Sequence, residues 1–132
     1  EENIRIDLGA SFYGNIGRCL HYKGDQKSAL EFYFNSLNIL MRQENEHSKL
    51  NIGYACSWIS EVFIETDKIL DGLYFLKRAI NVWQQVSPPK ANKLKLVWNN
   101  ILCDKETKKA VDTKADWQIE QHCKQIMDQY FV

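Results

Sequence analysis

The chain has little that breaks a backbone. Its 132 residues contain two prolines, side by side at Pro88 and Pro89, and six scattered glycines. So few breakers favour long helices over many short strands. Net charge is missing too, with 17 basic and 17 acidic residues. That removes the composition-level argument for nucleic acid or an anionic membrane as the main partner. No apolar run approaches the ~18 residues of a transmembrane helix, so no membrane contact is expected. The sequence opens on Glu1, without a basic stretch leading into an apolar one, so nothing reads as a signal peptide. Cys19, Cys56, Cys103 and Cys123 form no C-x-x-C pair and read as reduced core thiols. Neither glycine-rich phosphate loop occurs. A hydrophobic share of 45% argues against disorder, and the length suits one domain.

Helical spacing is what the chain does have. Ala29, Tyr33, Leu37 and Leu40 recur at intervals of four, four and three. Ile52, Cys56, Ile59 and Phe63 do likewise, as do Leu73, Leu76, Ile80 and Trp83, and then Ile119, Cys123, Ile126 and Tyr130. Strict alternation appears only within Asn3 to Leu8, the one short piece with a strand pattern. Lys23-Gly24-Asp25 reads as a helix end followed by a cap, Thr66-Asp67 as a turn, and Ser87-Pro88-Pro89 as a stop. The polar, lysine-rich stretch Lys105 to Thr113 reads as a connector. Six helices are therefore expected, at about 8–23, 26–43, 48–65, 68–86, 90–104 and 113–130. The fold class is all-α.

These helices repeat. Ala29, Gly72 and Ala115 are spaced 43 and 43 apart, and Tyr33, Leu76 and Ile119 keep the same period. So do Ile16, Ile59 and Leu102, and the small residues Gly17, Ser60 and Cys103. Small residues at a helix crossing allow close approach. Unit one reads Tyr13, Ile16-Gly17, Leu20, Gly24-Asp25, Ala29, Tyr33, Ser36, and unit two keeps Ile59-Ser60, Phe63, Gly72, Leu76 and Ala79. This resembles the tetratricopeptide repeat, lengthened as in kinesin light chains and the sensor arrays of bacterial signalling ATPases. Unit two departs at Cys56 and Asp67, and unit three at Asn99, Glu106 and His122. The resemblance implies an α-solenoid of about three antiparallel hairpins in a right-handed superhelix. Its units are 8–45, 48–88 and a degenerate capping unit 90–132.

Candidate chemistry is sparse. Cys19 and His21 diverge by roughly 200° on a helix, so they do not form a nucleophile–base pair. Cys103, His122 and Cys123 lack a fourth zinc ligand. Glu61 and Glu65 are an i, i+4 carboxylate pair that reads as a solvated face. No catalytic residue, metal or cofactor is expected. Seven lysines (Lys90, Lys93, Lys95, Lys105, Lys108, Lys109, Lys114) face Asp104, Glu106 and Asp112, a surplus of four positive charges within residues 90–114, a stretch that contains Trp98 and is followed by Trp117. The absence of arginine there weighs against a nucleic-acid site.

The resemblance implies ligand contact from the exposed stripe of each unit's first helix. Carried over by position, these are Ser11, Arg18, His21 and Tyr22 in unit one, and Tyr54, Ser57, Glu61 and Glu65 in unit two. The lysine and asparagine of a carboxylate clamp would fall at Gly14 and Arg18, and they are absent. The expectation is a non-enzymatic protein- or peptide-interaction module of a larger intracellular, cytoplasmic signalling scaffold. Solenoid assembly by self-association, or nucleic-acid contact through the lysine-rich unit, are the alternatives.

Overall fold

The computed structural model describes the backbone of residues 2–42 and 45–131, and side chains for 8–42, 45 and 47–131. The described residues form seven helices: α1 (Glu2–Tyr22), α2 (Gln26–Leu40), α3 (Glu46–Glu65), α4 (Ile69–Val86), α5 (Pro88–Asn100), α6 (Lys105–Asp112) and α7 (Asp116–Asp128). No strand occurs among them. The alternating piece Asn3 to Leu8 lies inside α1 and is helical. Six residues of alternation without a neighbouring strand leave backbone groups unpaired, which a helix satisfies internally.

Two helical pairs come first: α1 packs along α2, α3 packs along α4, and α2 joins the pairs by contacting α3. Both pairs turn in the same way. Gly24 adopts φ 87, and the Asp25 amide donates to the Leu20 carbonyl at 2.9 Å. Forty-three residues on, Asp67 adopts φ 64, and the Lys68 amide donates to the Phe63 carbonyl at 2.8 Å. The left-handed position that glycine fills freely in the first turn is thus held by an aspartate in the second. Asp25 then caps α2 by accepting from the Ser28 amide, whereas Lys68 offers α4 no side-chain cap. Asn45 and Ser48 form a reciprocal capping box at the start of α3.

The small residues of the first two units do what their period implies, whereas Ala115, expected to match Ala29 and Gly72, stands just before α7 and is exposed. A Cβ on Gly17 would lie 2.6 Å from the Tyr33 ring and 3.3 Å from the Ala29 carbonyl. A Cβ on Gly72 would lie 2.6 Å from Ile64 and 3.2 Å from the Ser60 carbonyl. Gly53, 43 residues after the buried Ala10, lies under the Trp83 indole, whose N–H donates to the Leu50 carbonyl at 2.9 Å. Between the pairs, Tyr33, Phe34, Leu37, Ile59, Phe63, Phe75 and Leu76 are fully or almost fully buried.

The third unit differs from expectation. Its first helix is broken in two. At Ile101 the backbone turns extended, and Asp104 starts α6 by accepting from the Glu106 amide and the Thr107 hydroxyl. Lys108 reaches back to close the end of α5, donating to the carbonyls of Trp98 and Ile101, both at 2.8 Å. The expected connector 105–113 is therefore mostly helix: lysine, glutamate and alanine are good helix formers once a cap exists. Leu102, expected at the core position of Ile16 and Ile59, falls in the break and is 94% exposed. Cys103 leaves the register of Gly17 and Ser60 for the same reason. α5, α6 and α7 each lie against α4. α7 keeps its register, with Ile119 and Cys123 completely buried. All four cysteines are free, but only Cys56 and Cys123 are core thiols; Cys19 is exposed, and Cys103 half-buried.

Replacing Asp67 with glycine should stabilise the protein by up to about 1 kcal/mol, because the left-handed backbone is costly for residues with a Cβ. Gly24→Asp should destabilise it similarly. Urea denaturation of the two variants checks this, and equal midpoints would contradict the paired-turn reading.

Candidate functional site

The first helices of the two pairs, α1 and α3, present one continuous polar and aromatic face. Its centre is Arg18. The guanidinium donates to the Glu61 carboxylate at 3.1 Å and to the Tyr22 hydroxyl at 2.9 Å. It also lies over the Tyr22 and Trp58 rings, 4.9 and 5.2 Å from their centroids. Partial burial opposes the Arg18 charge, yet contacts with Tyr33, Glu61 and Tyr22 outweigh it and hold its pKa above the ordinary value. Arg18 and Glu61 occupy the same place in successive units, 43 residues apart, so the ion pair spans the step between repeats.

His21 extends this network. Its Nε2 pairs with Glu65 at 2.7 Å, and its Nδ1 lies 3.3 Å from the Tyr33 hydroxyl and 3.5 Å from Arg18. Arginine only donates, so Nδ1 accepts and Nε2 carries the hydrogen that Glu65 receives. Gln26 donates to the same carboxylate at 2.8 Å. Slight burial works against the Glu65 charge, but the His21 and Gln26 hydrogen bonds prevail and lower its pKa below the ordinary value. The Tyr33 hydroxyl, shielded by burial, is pushed up.

Toward the other end of the face runs a groove of about 130 Å³ whose walls include Ser11, Gly14, Asn15, Asn51, Tyr54 and Trp58. Gly14 keeps it open: a Cβ there would come within 3.3 Å of Trp58. Tyr54 is wedged between Trp58 and Trp83, at ring distances of 5.7 and 4.9 Å, and Lys90 at the start of α5 lies 5.2 Å from its ring. The result is a row of rings and cations: Tyr22, Arg18, Trp58, Tyr54, Lys90. The side-chain amides of Asn15 and Asn51 have no hydrogen-bond partner among the described residues.

Of the residues expected to contact a partner, Arg18, His21, Tyr22, Glu61 and Glu65 are brought together, but they bind one another. Ser11 and Tyr54 line the groove. The Ser57 hydroxyl donates to the Tyr54 carbonyl at 2.8 Å, inside its own helix. Sequence reasoning missed Trp58, Asn51, Asn15 and Lys90. Trp58 and Asn51 lie one helical turn either side of Tyr54, a spacing that could have found them.

His21, Glu61 and Glu65 place their ligand atoms within 4.8 Å of one another. Arg18 already supplies the cation of this cluster, and the His21 tautomer turns a hydrogen, not a lone pair, toward Glu65. A metal would have to displace both. His122 and Cys123, once weighed for zinc, are otherwise engaged: His122 stacks on Tyr74 at 3.9 Å, and Cys123 is buried in the core. Burial pushes the Cys56 thiol up to about 11, and the Cys123 thiol well up too, so neither is a ready nucleophile. A second, more open cleft of about 500 Å³ lies between the two interhelical turns and Tyr130, walled by Leu30, Val62 and Phe63.

Searched against family models, curated proteins and solved structures, the chain gives no match.

Reversing one charge, by Arg18→Glu, should lower stability by about 1 kcal/mol, and Arg18→Glu with Glu61→Arg should recover most of it. Additive losses in a double-mutant cycle would show that the pair is not coupled. The Glu65 contact has a defined pH signature. Its lowered pKa means that the contribution is present above the ordinary value near 4.5 and is lost as pH falls through the folded value. The melting-temperature gap between the native chain and Glu65→Gln should therefore be present at about pH 7 and narrow as pH falls below the ordinary value near 4.5. A constant gap would argue against it.

Proposed function

We propose that the chain is a non-enzymatic protein- or peptide-interaction module that captures an extended segment along the α1–α3 face. The observation that carries this reading is the groove beside Gly14, with two uncommitted amides, Asn15 and Asn51, between aromatic walls. Amides that both donate and accept suit a peptide backbone, and Tyr54 and Trp58 supply rigid contact area. A space of about 130 Å³ is small beside the ~300 Å³ or more of a typical metabolite pocket, and fits one peptide side chain. The charged network next to it is already assembled, so little ordering entropy is lost on association.

A tetratricopeptide-like reading of the first two pairs would favour the same function. The two matching turns, the small-residue crossings and the Arg18–Glu61 bridge between equivalent positions all follow the 43-residue period. α7 would close the array as a cap, since its outer face carries Gln121, Lys124, Gln125 and Asp128 in solvent. A signalling or scaffolding role inside a larger cytoplasmic protein belongs to this proposal. Groove residues, not Arg18 or Glu61, are then the specificity elements.

A display library of random 12-residue peptides tests it. Ligands should be enriched, and Asn51→Ala or Tyr54→Ala should weaken them at least tenfold, while Lys95→Ala on the far side of α5 leaves them unchanged. No enriched ligand, or ligands indifferent to Asn51 and Tyr54, would count against the groove.

A further inference from the structure

A pocket of about 220 Å³ lies where α3, α4 and α7 meet. It shares no lining residue with the groove beside Gly14. Its walls carry four charges, two of each sign. Lys49 comes from α3, Arg78 from α4, and Asp116 and Glu120 from the start of α7. Helical spacing explains the placement. Asp116 and Glu120 are four apart and so share a face, with Ile119 beside them. Ile119 is fully buried, which turns that face inward toward α4, where α7 packs. Lys49 and Ile52 are three apart on α3 in the same way. The Lys49 ammonium donates to Gln85 Oε1 on α4 at 3.0 Å, which holds it across the rim.

Arg78 is 5% exposed, the only buried charged side chain among the described residues. Opposite charge stands near it. Burial is the main reason that the Cys56 thiol is pushed up, while Arg78 draws it down and Glu120 raises it, so both charges reach one buried spot. A guanidinium has five donors, and a single protein carboxylate does not use them all. The pocket is thus electrically balanced. A ligand of one sign would meet two like charges, whereas a ligand with both signs close together answers all four. Ile52, Val82 and Ile119 add an apolar wall. The volume is below the ~300 Å³ at which pockets for drug-sized ligands begin, so the occupant is small. An α-amino acid has that size and carries its ammonium and carboxylate on one carbon.

We infer that this pocket binds a free aliphatic α-amino acid as its zwitterion, with the carboxylate toward Arg78 and Lys49 and the ammonium toward Asp116 and Glu120. The ligand touches all three helices, so occupancy ties α7 to the second helical pair. The inference does not rest on peptide capture along the α1–α3 face.

Thermal unfolding in the presence of L-leucine is the test. A Kd of about 0.1–1 mM is the order expected for a ligand of about nine heavy atoms. Leucine at about 10 mM should then raise Tm by a few degrees. N-acetyl-leucine, which lacks the cation, and leucinamide, which lacks the anion, should each bind at least tenfold more weakly. Glu120→Gln and Lys49→Met should weaken leucine at least tenfold with unchanged circular dichroism, since neither side chain is buried. Lys95→Ala should leave the response as it was. No rise with leucine overturns the proposal. N-acetyl-leucine binding as well as leucine would make this an anion site, and leucinamide doing so a cation site; either result overturns the zwitterion. A leucine response that survives both pocket substitutions places the ligand elsewhere and overturns it too.

Discussion

Two helices can lie close only where neither carries bulk at the crossing, and the first four helices depend on that condition. Gly17 meets Ala29 and the Tyr33 ring, and Gly72 meets Ser60 and Ile64. At that separation Tyr33, Phe34, Phe63 and Phe75 fill the space between the pairs with no exposure of note. Between α1 and α3 Gly14 has this part, since a Cβ there would come within 3.3 Å of Trp58, and Arg18 spans the gap to Glu61. The polar face thus exists because small residues let the helices approach. A methyl group at Gly17 would be felt first in the Tyr33 ring, and through its hydroxyl at His21.

The first two units were legible because their core positions recur at helical spacing and their turns carry recognisable residues. Even the odd one, Asp67, keeps the turn geometry that glycine has at the equivalent place. The third unit was legible in α7 but not between Asn100 and Ala115. What redirects the chain is a capping choice at Asp104 and a lysine that folds back on two carbonyls, and neither leaves a mark in hydrophobic periodicity. Lysine-rich composition was mistaken for a connector although its residues favour helix. The face of the site could be read from position, but its electrical state could not. Five expected contact residues bond to one another across the two pairs, one cation against two carboxylates. The opposite charges of Arg18 and Glu61 at one repeat position were the available clue.

The lysine surplus of 90–114 is also less free than its count implies. Lys90 lies over Tyr54 and Trp83, Lys108 is held by two carbonyls, and Asp112 is taken by Lys77 from α4. What remains outward is Lys93, Lys95, Lys105 and Lys109. Part of the positive charge is therefore structural, holding α5 and α6 against the rest. This shifts the weight of recognition from charge to the aromatic row and its amides.

The end of the chain has one more effect. After α7 the Tyr130 ring comes to rest 4.9 Å from Phe34, in the second helix, and 6.3 Å from Phe63. In a linear array each repeat touches only its neighbours, so fraying can begin at one end and spread. Here the turn after α7 is clasped to the first hairpin, so residues far apart in sequence share one core. Loss of the Tyr130 contact would uncover Phe34 and Phe63 together, so both hairpins would feel it. During synthesis the aromatic centre around Phe34 and Phe75 stays open until the closing residues emerge.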